Sequence, residues 1–177
     1  GEAKQRGKLL GRGMATCIES TAGSSVDEVE LRFNPDGRLT IYCNTKSTGQ
    51  GHETAFAQVA AEALGVPLES VHVIEGDPNV KGLGGGSGGS RSMQFGGSAV
   101  LLGSREAIKK GIALAAKDLE AAEADIGFDH GKFHIKGTDR SVSMQALVKK
   151  HGGARDSKVQ GKHDPTWPNG CHIAEVE

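Results

Sequence analysis

Glycine dominates the middle of this chain. There are 27 glycines, and many of them crowd between Gly76 and Gly97. Glycine at that density is either flexible linker or backbone brought close to something. Regular structure must therefore be sought on either side of the segment. Aromatic residues make up only 4% of the chain.

Upstream, "GRGMATCIES" (Gly11 to Ser20) alternates and reads as a strand, and "VDEVELRF" (Val26 to Phe33) alternates clearly. "NPDG" (Asn34 to Gly37) is a turn signal, and "RLTIYCNT" (Arg38 to Thr45) returns as the second arm of a hairpin. A helix is expected from about His52 to Leu64, its stripe formed by Ala55, Phe56, Val59, Ala60, Ala63 and Leu64. Gly65 and Pro67 end it. "VHVIEG" (Val71 to Gly76) is a short strand.

Downstream, a long helix begins near Gly97 or Ser98, with Leu101, Ser104, Ile108, Ile112, Ala115 and Leu119 along one face, and is expected to end near Gly127. A hairpin follows around His130 and Gly131, then a short helix from Ser143 to Gly152 with Ser143 as N-cap. Residues 153–169 read as polar loop, and a final strand starts near Cys171. The pattern predicts an α+β fold, a mixed sheet with helices packed mainly on one face.

Residues 1–177 suit a single domain, with its core from Gly1 to about Gly127 and residues 128–177 adding the hairpin, short helix and return strand. The start at Gly1 and the alternating "CHIAEVE" at the end lead us to expect a segment of a longer protein. A net charge of -1 gives no electrostatic case for nucleic acid, and no apolar run is long enough to span a bilayer. Cys17, Cys43 and Cys171 are widely spaced, which argues against a zinc ribbon or a cluster bound by this chain alone. They read as small buried residues, and their odd number points to a reducing, cytoplasmic setting.

Two loops carry groups suited to a ligand. In "GLGGGSGGSRSMQFGG" (Gly82 to Gly97) a formal G-x-G-x-x-G lies at Gly84, Gly86 and Gly89, but it neither directly follows a strand nor opens a helix, as a dinucleotide fold requires. Within it Gly89, Ser90, Arg91 and Ser92 offer backbone N–H groups, two hydroxyls and a guanidinium, which suit a phosphate. In "GQGHET", Gly49 and Gly51 free the backbone at a helix entrance whose first N–H groups can face an anion. Gln50 can donate or accept, His52 can bind phosphate, bind metal or titrate, Glu53 suits a first helical turn, and Thr54 can touch a ligand. Together the loops point to an anionic, phosphorylated cofactor.

"GQGHETAFAQVAAEALGVPLESVHVIEGD" followed by "GGGSGGSRSMQFGGSAV" closely resembles the molybdenum-binding large subunit of the xanthine oxidase family, nearest to its aerobic carbon monoxide dehydrogenase-like members. "GRGMATCIES" and "TWPNGCHIAEVE" resemble its flanking stretches. The resemblance implies a molybdopterin cofactor, in bacterial members often the cytosine dinucleotide. It places Gln50 near the molybdenum, hydrogen-bonded to an oxo ligand rather than ligating the metal. It assigns Gly51, His52 and Thr54 to gripping the cofactor, and Gly89, Ser90, Arg91 and Ser92 to its phosphate or dinucleotide portion. FAD and iron–sulfur clusters on other domains or subunits, and the remainder of the large subunit, are the implied partners.

There are departures from the family pattern. Gly88 stands where many relatives carry an aromatic residue, and the G-x-G-E-type motif with the family's catalytic glutamate does not occur. No catalytic residue is therefore expected within this chain, which reads as one share of a cofactor cradle, inactive in isolation. Two other readings stay open on sequence: a nucleotide-binding module of another class using the Gly82–Gly97 loop, and a structural or interaction domain in which both loops are only turns.

Overall fold

A computed structural model describes residues 2–21, 26–80, 84–161 and 164–177. Gly1 and Gly82, named above, lie outside the described residues. The elements run α1 (Glu2–Gln5), β1 (Gly11–Ile18), β2 (Asp27–Phe33), β3 (Leu39–Cys43), α2 (His52–Leu64) and β4 (Val71–Glu75). A π-helical turn (Ser92–Gly97) leads into α3 (Ser98–Asp118). Then come β5 (Ile126–Asp129), β6 (Lys132–Ile135), β7 (Ser141–Ser143), α4 (Met144–His151), β8 (Ser157–Gly161) and β9 (Asn169–Val176).

The central sheet has the order β4-β3-β2-β8, with β3 and β4 parallel and the other neighbours antiparallel. The parallel pair is joined through α2, the crossover that parallel strands require. β2 alternates cleanly: Val29, Leu31 and Phe33 are buried, while Glu30 and Arg32 line the other face. There Arg32 pairs with Glu30 and stacks over the Tyr42 ring at 4.4 Å. Leu39, Ile41 and Cys43 of β3 join the buried side, which α2 and α3 cover. The expected α+β class is borne out.

α3 seats differently from its sequence pattern. Its buried stripe is Ala99, Gly103, Ala107, Gly111 and Ala115, small residues four apart, together with Val100, Ser104 and Ala116. Of the expected stripe, Ser104, Ala115 and Leu119 are buried, whereas Leu101, Ile108 and Ile112 flank the contact. Small residues let the helix axis come close to its neighbours. A Cβ at Gly103 would stand 2.8 Å from Leu31 Cδ1, and one at Gly111 2.3 Å from Phe133 Cζ.

α3 also stops well before Gly127. Glu120, at φ 52°, takes the left-handed position, with Glu120 N–H donating to Lys117 O and Ala121 N–H to Ala116 O. This is a Schellman ending made without glycine, so the sequence gives it no marker. At the end of α2, Gly65 makes the same motif at φ 59°.

Residues 157–161, expected as loop, form the edge strand β8. Its sequence SKVQG has little β propensity. Pairing with β2 and contact with α3 make it a strand: the Ser157 hydroxyl donates to Gly103 O at 3.2 Å, and Lys158 pairs with Glu28 at 3.0 Å. β1 and β9 form a separate antiparallel ribbon. Cys17 and Cys171 lie on it and are exposed, against the expectation of three buried cysteines, because neither face of the ribbon carries a covering layer among the described residues.

Two outcomes follow from this packing. A Cβ at Gly161 would lie 2.1 Å from Phe95 O and 2.8 Å from Ala99 N, both backbone atoms that cannot swing aside. Gly161→Ala should cost about 3 kcal/mol in urea denaturation by levering β8 off α3. Asp118 receives Lys150 at 2.8 Å and His151 at 3.0 Å, which hold its carboxyl below the usual range, Lys150 first. A lowered folded-state pKa stabilises above the ordinary value and is lost as pH falls through the folded one. Asp118→Asn should therefore cost about 0.5–1 kcal/mol at neutral pH, and the difference from wild type should vanish when the melt is repeated at increasingly acid pH below the ordinary carboxylate range.

Candidate functional site

The two ligand-suited loops meet at the carboxyl ends of β3 and β4. Gly76 N–H donates to Cys43 O at 2.9 Å, and Ser47 N–H to Glu75 Oε2 at 2.7 Å, so the strand ends anchor the "GQGHET" loop. The glycine loop is stitched to it: Asn44 Nδ2 donates to Gly84 O at 2.9 Å, and the Ser87 hydroxyl donates to Lys46 O. Between them lies a cleft of about 440 Å³, lined by Gln50, His52, Ser87, Gly88, Ser90, Ser92 and Met93.

Of the residues singled out in the sequence, Gln50, His52, Ser90 and Ser92 line this cleft. Gln50 Oε1 accepts from the Thr48 N–H at 2.6 Å and its hydroxyl at 3.0 Å, which leaves the carboxamide NH2 as the group able to donate to a ligand. His52 is 7% exposed and stacks on Phe56 with ring centroids 5.6 Å apart; its buried Nδ1 has no hydrogen-bond partner. An orphaned buried ring nitrogen at a cleft wall suits a polar ligand atom. The Ser90 hydroxyl donates to Glu19 Oε1 at 2.9 Å, so an incoming acceptor competes with a carboxylate there.

Gly51, Thr54, Gly89 and Arg91 are not among the lining residues. Gly51, at φ 71°, is the left-handed N-cap that turns the chain into α2, and its carbonyl accepts from the Thr54 and Ala55 N–H groups. The Glu53 carboxyl, held below its usual range first by its own backbone N–H and then by the Ser47 hydroxyl, occupies another first-turn donor. The start of α2 therefore offers mainly side chains, with the Glu53, Thr54 and Ala55 N–H groups engaged within the chain. Gly89 and Ser90, at φ 57° and 56°, make a sharp bend. Arg91 turns its guanidinium behind the loop, with Nε and Nη2 donating to Gly86 O at 3.2 and 2.7 Å.

The open helix start belongs to the other loop. Helical structure is continuous from Ser92 through the π turn into α3, with Phe95 N–H donating to Arg91 O at 2.8 Å. The first amides of that helix have no intrahelical acceptor and lie where Ser92 and Met93 line the cleft. Sequence reasoning placed this start five or six residues late because Gly96 and Gly97 are poor helix formers. Here they are needed for close contact: a Cβ at Gly96 would meet Phe56 Cζ at 2.9 Å, and one at Gly97 would meet Met93 Cε at 2.8 Å. Hydroxyl, amide and backbone donors and a helix N-terminus around one cleft, with His52 and its orphaned ring nitrogen in the wall, fit a polar, anion-bearing group.

Fold and site together define a cofactor-binding domain rather than a dinucleotide fold, since the central sheet is mixed and residues 76–91 separate β4 from the next helix. A family model described as the molybdopterin cofactor-binding domain matches residues 1–177, and the chain belongs to that family. It is 35% identical over 142 residues to the carbon monoxide dehydrogenase large chain of Afipia carboxidovorans, covering 80% of this chain and 18% of that one. It is 34% identical over 201 residues to the nicotine 6-hydroxylase large subunit of Paenarthrobacter nicotinovorans, covering 99% and 25%. The reconstituted CO dehydrogenase from Oligotropha carboxidovorans has a similar structure, with a TM-score of 0.85 at 29% identity, covering 98% of this chain and 25% of that one. The chain thus spans about a quarter or less of these relatives' length.

Cys43 lies beneath the site, its Sγ 3.8 Å from Thr45 O. Burial, aided by the charge of Glu75, pushes its thiol up to about 12. Cys43 should stay unlabelled by iodoacetamide at pH 8 in the native protein and react only in denaturant, as read by peptide mass mapping.

Proposed function

We propose that this domain supplies one wall of the molybdopterin cradle in the large subunit of a carbon monoxide dehydrogenase-like molybdenum hydroxylase. The observation that carries this reading is the cleft where Gln50 and His52 face Ser90 and Ser92 across two stitched loops. Gln50 would donate its amide N–H to an oxo ligand at the metal end. His52 would offer its free Nδ1 to the cofactor, and Gly51 and Thr54 would shape the entrance. Gly89, Ser90 and Ser92, with the helix start behind them, would hold the phosphate end, and Arg91 would act from behind the loop. When bound, the molybdenum centre supplies two-electron redox chemistry; these residues bind and orient it.

The cytosine dinucleotide form of the cofactor suits a cleft with donors at both ends. FAD and iron–sulfur clusters on other subunits or domains would carry electrons onward in a cytoplasmic complex. The remainder of the large subunit would supply the catalytic glutamate and cover the β1–β9 ribbon. There Met14, Ile18 and Ile173 share one face and are exposed. Among the described residues no helix is long and apolar enough to cross a membrane.

The test uses the intact subunit. Ser90→Ala/Ser92→Ala should lower molybdenum and pterin content about tenfold, the loss of hydrogen bonds to a charged group. Gln50→Ala should retain most of the cofactor and lower turnover roughly tenfold to a hundredfold. Metal analysis, pterin fluorescence and steady-state rates read these outcomes, and wild-type values in both variants would refute the assignment.

A further inference from the structure

Beneath the glycine loop lies a charged pair that the contacts above do not use. Asp27, the first residue of β2, is 1% exposed; no side chain hydrogen-bonds its carboxylate, and only the Gly85 N–H of the glycine loop approaches it, outside good hydrogen-bond geometry. Facing it is the Arg91 guanidinium, with Nη2 3.6 Å from Oδ1 and a side chain only 13% exposed. Two nitrogens of the same guanidinium hold Gly86 O.

The loop runs hard against both charges. Gly84 forms a β-bridge with Asp27. A Cβ at Gly84, where φ is 91°, would stand 2.7 Å from Asp27 Oδ1; one at Gly85 would stand 2.7 Å from Arg91 Nη2. The backbone therefore passes at a distance only glycine permits.

A buried carboxylate with no well-formed hydrogen bond is costly, and apolar packing would serve stability better. The guanidinium explains its place. Arg91 presents donors in a rigid fork, so fixing that fork fixes the carbonyl it grips. Burial pushes the Asp27 carboxyl above its usual range, while Arg91 and then the Gly85 N–H of the loop pull it back. We propose that Asp27 is a positioning residue for the cofactor loop: through Arg91 it holds Gly84–Gly86 against β2 and so sets where Ser87–Ser92 meet the cleft. This rests on the reading that the cleft takes the molybdopterin.

The experiment compares the intact large subunit carrying Asp27→Asn, or Asp27→Asn with Arg91→Gln, against wild type. It reads hydrogen exchange of peptides spanning 84–92 and of the α2 and α3 core, together with molybdenum and pterin content. In Asp27→Asn the loop should exchange about tenfold faster while the α2 and α3 core keeps its protection, and cofactor content should fall severalfold. The double variant strands no buried charge, so it folds even where the single one does not. Its loop should still exchange faster, because the fork has gone.

Wild-type loop exchange in Asp27→Asn, or in the double variant where the single one does not fold, overturns the proposal. If Ser90→Ala/Ser92→Ala still loses cofactor in that case, the site reading survives alone. A loosened loop with undiminished cofactor, matched by undiminished cofactor in the serine variant, overturns the site reading and with it the positioning role.

Discussion

The close seating of α3 on the central sheet is the constraint on which the rest depends. Ala99, Gly103, Ala107, Gly111 and Ala115 fall on successive turns and present almost no side chain. The helix can therefore approach Leu31 on one side and Phe133 on another, closer than any larger residue allows. That approach fixes the opposite end of the helix as well. Its N-terminal extension through Phe95, Gly96 and Gly97 is buried against Phe56 of α2 and against Gly161 of β8. The donors at Ser92 are thus held on a rigid element next to the entrance of α2, as a preorganised binding site requires.

The two halves of the cleft solve different problems. The α2 entrance turns most of its backbone donors onto Gly51 O and the Glu53 carboxyl, so it contributes mainly side chains, Gln50 and His52. The Ser92 entrance keeps its backbone donors and adds hydroxyls, suiting it to negative charge. Between them the stitches from Asn44 to Gly84 and from Ser87 to Lys46 keep the spacing of the two halves. The arginine that a motif reading places on the phosphate instead lies behind the loop, where its reach to Gly86 O and Asp27 shapes backbone.

Sequence patterns that record local physics were legible. The β2–β3 hairpin, the bounds of α2 with Gly65 as its stop, and Ser143 as the cap of α4 follow from alternation, left-handed glycine and side-chain capping. So was the grouping of Gln50 with Ser90 and Ser92, because each sits in a glycine-rich loop leading into a helix, and the two loops line one cleft. What escaped had no local marker. Glu120 ends α3 in a conformation that glycine normally announces, β8 is a strand only because β2 and α3 claim it, and Gly96 and Gly97 hide a helical turn.

By itself, the sequence determined which residue types could serve a phosphorylated cofactor and on which helices and strands they would ride, since propensity, capping and alternation act over a few residues. Only the tertiary structure decided which of them face the cleft. That choice rests on contacts between positions far apart in the chain: Asn44 with Gly84, Asp27 with Arg91, and Gly161 with Phe95. Distances of this kind are set by packing, and no run of neighbouring residues encodes them.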